Sequence, residues 1–234
     1  MKAIFKRDFE SYFNSPIGYC FVALVLAVTG FFFYQYNCVQ KLVSLNNVFY
    51  ESTIVFIFVV PLLSVKMLCE DRKTKTDQIL MTAPVTSTEI VLGKYFAALA
   101  VYGVTLMSTL IYVIVLALFG QPQYAEIFTV YLGFALLGAA FISVGLFISS
   151  LTDNQFLGVL FSFVTLFVMF MLTYVIPFIP GTVLKKIVGL FAIADKFEPF
   201  SNCLLATDSI VYYVGFSAVF IVLTIFSVEK RRWR

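Results

Sequence analysis

Charged side chains vanish from this chain for about twenty residues at a time, six times over. The stretches 17–36, 50–68, 95–119, 127–151, 156–178 and 209–228 are free, or nearly free, of charge. Each is close to the ~20 residues a helix needs to cross a hydrocarbon core. None has the ten-residue alternation of a barrel strand, so all six are expected to be helices. Pro61 interrupts the second, and Lys66 near its end is expected to snorkel toward the interface. The first exceeds the ~7–15 residues of a signal-peptide core and no small-residue cleavage pattern follows it, so it reads as an uncleaved span.

Three segments lie between or before these spans. In residues 1–14, Phe5, Phe9, Tyr12 and Phe13 recur at helical spacing, with Lys2, Lys6, Arg7, Asp8 and Glu10 on the remainder. Asn14, Ser15 and Pro16 then break the helix. The pattern predicts an amphipathic helix in the membrane interface, serving either as an anchor for span one or as a docking surface.

The 69–94 segment, CEDRKTKTDQILMTAPVTSTEIVLGK, holds Glu70, Asp71, Arg72, Lys73, Lys75 and Asp77 in one run. Thr74 and Asp77 have capping-box spacing, which suits a short helix over 75–82 that Ala83 and Pro84 end. Thr86 and Glu89 repeat the spacing and start a helix that runs into span three. A charge run is often only a solvated loop, but two capped starts favour an ordered element. The 179–208 segment is too apolar for an ordinary loop, yet Lys185, Lys186, Asp195, Lys196, Glu198 and Pro199 interrupt it. Two re-entrant half-helices with 194–200 between them fit it, as does a helical hairpin on the membrane surface.

Composition agrees. Hydrophobic residues make up 61% of the 234 and charged residues 12%, about half the share of a soluble domain. With 28 Phe, 13 Tyr and a mean hydropathy of +0.97, lipid must solvate most of the surface. The fold class expected is an all-α integral membrane protein forming a single domain over 1–234. Charge placement orients it. With six spans both termini share a side with the 69–94 and 152–155 connections, and that side carries 12 of the 16 Lys and Arg. Lys41, Lys185, Lys186 and Lys196 fall on the other. The positive-inside rule then puts both termini in the cytoplasm, in a plasma (inner) membrane.

Several chemistries lose ground. Histidine is absent, which removes imidazole acid–base work and His metal ligation. No phosphate loop occurs: Gly93-Lys94 is followed by Tyr95 and lacks the upstream glycine, so ATP hydrolysis is not assigned to this chain. No span has a carboxylate at its middle, which disfavours ion-coupled carriers and aspartyl intramembrane proteases. No filter-like loop suggests a channel, and no pattern suggests nucleic-acid binding. Cys20, Cys38, Cys69 and Cys203 have no metal-ligand spacing, although Cys38 and Cys203 share a side and could pair if close. In span four, Ala135, Ala139 and Ser143 recur every four residues beside Gly138 and Gly145, a pattern that lets helices approach. Phe156, Phe161, Phe163, Phe167 and Phe170 of span five either face lipid or line an apolar path.

Taken together these parts resemble the permease subunit of type-2 ABC (ABC-2 type) transporters. Most specific is Glu70 to Lys94: a charged run, a Thr-acidic-x-x-Leu core at Thr76, Asp77 and Leu80, the TAPV turn at 82–85, and EIVLGK at 89–94. The family usually has Gly-Thr-Leu-Glu where this chain has Lys75-Thr76-Asp77-Gln78. Within the family it looks most like the gliding-motility-associated (GldF-like) permeases. The resemblance implies an N-terminal interfacial helix, a cytoplasmic coupling helix between spans two and three, and re-entrant helices between spans five and six. It also implies a separate ATPase subunit that holds the ATP-Mg, a second permease subunit as homodimer or heterodimer, and no cofactor or catalysis in this chain. Carried onto this sequence, the coupling contacts would be Arg72, Lys73, Thr74, Thr76, Asp77, Leu80 and Glu89. A non-transporting scaffold for cytoplasmic ATPase or motility machinery is the alternative, and a secondary carrier a third.

Overall fold

The computed structural model describes residues 1–73, 76, 85–179 and 181–232, apart from the side chains of Met67, Lys73, Thr182 and Arg232. Among the described residues every regular element is a helix. They run α1 (Lys2–Phe13), α2 (Pro16–Phe33), α3 (Asn46–Lys73), α4 (Ser87–Phe119), α5 (Tyr124–Leu151), α6 (Gln155–Val175), α7 (Thr182–Gly189), α8 (Glu198–Ser201) and α9 (Thr207–Arg232). A π-helical segment, Tyr34–Val39, extends α2, and single 3-10 turns occupy Ile176–Phe178 and Ala194–Lys196. Six of these helices are long and apolar enough to cross a bilayer. The chain is therefore an all-α, multi-pass membrane protein.

α3 and α5 form the centre of the bundle. Of their most apolar stretches 76% and 72% of residues are buried, against 22% to 33% in the other four spans. Close approach explains the pairing. A Cβ on Gly145 would fall 1.9 Å from Ser64 Oγ of α3, and one on Gly138 would fall 2.3 Å from the Tyr102 ring of α4. Without lipid-excluding pressure between spans, such small-residue contacts and van der Waals packing hold helices together. Of the small residues at spacing four, Ser143 is buried while Ala135 and Ala139 are half-buried. Aromatic rings fill the rest, with Phe134 meeting Phe49 and Phe56 at 4.8 and 4.6 Å between centroids.

Several buried hydroxyls bond back to their own helix: Thr29 donates to Val25 O, Ser52 to Val48 O, and Thr105 to Val101 O. Ser149 instead donates across to Val65 O of α3. Pro61 sits inside α3 without ending it.

Lys66 departs from expectation. Its side chain is buried, with Nζ 3.2 Å from Ser11 O, bonded to Ser15 Oγ, and 5.2 Å above the Tyr12 ring. Ser11 at the end of α1 and Ser15 just beyond it supply acceptors that water would otherwise offer, and Glu70 Oε2 lies 3.7 Å away. In the 179–208 segment, 194–200 is the packed part. Phe197 and Phe200 are buried against α5, with Phe197 6.0 Å from the Phe134 ring. α7 is the exposed part, showing Val183, Leu184 and Ile187. Cys38 and Cys203 are both free thiols, and Cys203 Sγ accepts from Asn46 Nδ2 at 3.2 Å.

Candidate functional site

Both termini lie at one end of the bundle, and that end concentrates the buried charge. α1 packs on the first turns of α4, with Ile4 against Gly93. Its buried face is Ile4, Asp8 and Tyr12, one residue per turn. Phe5, Phe9 and Phe13 form a ring ladder on the flank, with centroids 6.0 and 5.2 Å apart, and are only half-buried. Asp8, which the sequence pattern placed on the polar remainder, faces inward instead. A lysine beneath it is the reason.

That lysine is Lys94, two turns into α4. Its side chain is almost entirely buried. Nζ is 3.1 Å from Asp8 Oδ2 of α1 and is also bonded to Asp71 Oδ2 of α3. Arg7 closes the cluster, 2.6 Å from Asp8 and 3.3 Å from Asp71. Burial works against the Arg7 charge, but the two carboxylates outweigh it and raise its pKa above the ordinary arginine value. The network joins three elements that meet at no other charged point described. Nearby, the Tyr12 hydroxyl donates to Leu63 O. Burial first, then the fields of Asp8 and Glu70, push that hydroxyl well above its ordinary pKa, so it stays a donor. A cleft of about 250 Å³ opens beside the cluster, lined in part by Arg7, Tyr12, Lys66 and Glu70.

A second tie leaves the other side of α3. Arg72 donates to Ser150 O at 2.6 Å and to Thr152 O, the unpaired carbonyl end of α5, where a cation also complements the helix dipole. It reaches Asp153 at 3.1 Å, and Arg231 of α9 reaches the same carboxylate at 2.9 Å. The Arg231 hydrogen bond is the main reason that Asp153 lies below the ordinary carboxylate range.

The expected coupling residues distribute unevenly. Thr76 Oγ1 donates to Asp71 Oδ1 at 3.0 Å, which sets it beside the buried cluster. Arg72 points away toward α5, and Glu89 caps α4, accepting from the Thr86 N–H at 3.2 Å while Thr86 Oγ1 accepts from the Glu89 N–H. This is the capping box expected from the spacing. Lys73 ends α3. Thr74, Asp77, Leu80 and the helix expected over 75–82 lie outside the described residues. Asp8, Lys94, Asp153 and Arg231 were not singled out from sequence. The available signal was Lys94 itself, a cation with apolar residues on both sides at the start of a span.

The model of the ABC-2 family transporter protein matches residues 3–231. The chain belongs to that family. No curated protein matches it. As an ABC-2 family membrane protein it is a component of a transporter, and the charged end just described is where α3 and α4, the helices flanking residues 74–84, are bound to α1.

Proposed function

We propose that the chain is the permease subunit of an ABC transporter, driven by a separately encoded ATPase that holds ATP-Mg. The observation that supports this most is the buried Asp8–Lys94–Asp71 junction. It fastens α1 to the two spans flanking the 74–84 segment, so a push on that segment would move all three as one body. Arg72 and Arg231, meeting at Asp153, would carry the movement to α5 and α9. The ATPase would contact Lys73, Thr74, Thr76, Asp77, Leu80 and Glu89, together with the outer flank of α1 at Phe5, Phe9 and Phe13, while Arg72, turned toward α5, would pass the movement on. The excess of Lys and Arg on the termini side favours a cytoplasmic location for that end. A second permease, identical or related, would complete the path. Export is the direction we favour, with a gliding-motility-associated subtype as the narrower reading.

Co-expression with a cognate ABC ATPase tests this. A stable complex is expected with wild type, and a weakened one with Asp77→Arg. Recovery of the permease free of any nucleotide-binding subunit under both conditions contradicts the proposal.

A further inference from the structure

At the end of the bundle away from the termini, the π-helical segment Tyr34–Val39 and the following loop stand off from α4. Together with α4 they line a half-open cavity of about 410 Å³, within the roughly 300–1,000 Å³ of small-molecule sites. Phe33, Leu42, Val43, Leu116 and Phe119 make its walls apolar. Two polar groups interrupt them. Lys41 is exposed at the rim in the left-handed region, at φ 56°, and has no salt bridge among the described residues. Asn37 Nδ2 is committed to Leu42 O and Ser44 O, which fixes the loop, while its Oδ1 is buried with no partner.

We propose that this cavity binds one anionic glycerophospholipid of the surrounding leaflet. An acyl chain would lie against Phe33, Leu116 and Phe119, and the phosphate would meet Lys41. Three features favour a bilayer lipid as occupant. The cavity opens onto exposed apolar surface of a spanning helix, since its wall residue Phe119 is 87% exposed and the adjacent Leu118 76%. The apolar volume ends at one cation rather than at several polar groups. Lys41, with no salt bridge among the described residues, complements the net negative charge of a phosphatidylglycerol headgroup, whereas a choline headgroup carries its own cation. π-helical segments are also frequent at functional sites, because the inserted residue reshapes the helix wall. The site stands independently of the ATPase coupling proposed above.

The full chain reconstituted in nanodiscs containing phosphatidylcholine and phosphatidylglycerol, then released for native mass spectrometry, tests it. Wild type should retain phosphatidylglycerol in preference to phosphatidylcholine. Lys41→Gln should lower that retention about fivefold, the factor one basic residue contributes near an anionic surface. Lys41→Arg should restore it, and Val115→Phe, which narrows the cavity, should reduce retention with the Lys41 charge intact. Equal retention by wild type and Lys41→Gln overturns the assignment. So does palmitate taking the place of phosphatidylglycerol when both are supplied.

Discussion

Lys94 Nζ stands 3.1 Å from Asp8 Oδ2, joining the N-terminal helix to the base of a membrane span from 86 residues away in sequence. Both side chains are almost wholly buried, so neither charge has water to fall back on. Removing Lys94 leaves the two carboxylates to share Arg7 alone, and breaking a buried pair in this way costs up to about 3–5 kcal/mol. Lys94→Met should therefore destabilise the protein by that order, seen as a lowered thermal midpoint in detergent. The combined Asp8→Asn, Asp71→Asn, Lys94→Met variant should recover much of the loss, because the one ion left at the junction, Arg7, is partly exposed and keeps its hydration.

The α4–α5 contact predicts a contrast among glycines. Gly138→Ala places a methyl group 2.3 Å from the Tyr102 ring, and the crowded core has nowhere to send it. A loss of about 1–3 kcal/mol is expected. Gly103→Ala meets nothing within 4 Å and should be neutral or stabilise α4 by up to about 1 kcal/mol. Unfolding of the two variants side by side checks this.

The topology was legible in the sequence because it follows from a simple count: apolar runs of spanning length, interrupted by charge. The Thr86–Glu89 cap was equally readable, since both partners lie within one turn. The charge cluster was not. Asp8, Asp71 and Lys94 come from three elements, and nothing in a linear pattern says that α1 folds back over α4. Lys66 misled for the same reason. A lysine near the end of a span ordinarily reaches water, and only the presence of α1 overhead turns it inward. The 194–200 region was read as a turn because of its charges, yet Phe197 and Phe200 decide its position by burying themselves against α5.

The two ends should respond to acid in opposite senses. Asp153 is held below the ordinary carboxylate value, first by its hydrogen bond from Arg231. The stability it contributes is full above the unfolded value of about 3.9 and is lost as pH falls through the depressed folded value. The tie between α9 and α5 should thus persist throughout the neutral and mildly acid range. Spin labels at Lys230 and Asn154 should keep a constant distance there, and Asp153→Asn should broaden it at every pH.

Asp195, in the turn before α8, behaves the other way. Burial raises its pKa, and Glu198 adds to this, while Thr173 and Lys196 oppose it. A raised carboxylate contributes stability fully below the unfolded value and loses it as pH rises through the folded one. Asp195→Asn should accordingly stabilise the protein at neutral pH, with the difference shrinking as both forms become neutral in acid. Thermal midpoints of the two forms across pH measure this.

The central claim is that a separate ATPase works on these helices through the segment between α3 and α4. Its most direct measurement is ATP turnover by that ATPase in proteoliposomes, with the full wild-type chain and with Asp77→Arg at equal complex occupancy. The account predicts turnover that depends on the wild-type chain and falls several-fold with the variant. Turnover unchanged by either the chain or the substitution would contradict it.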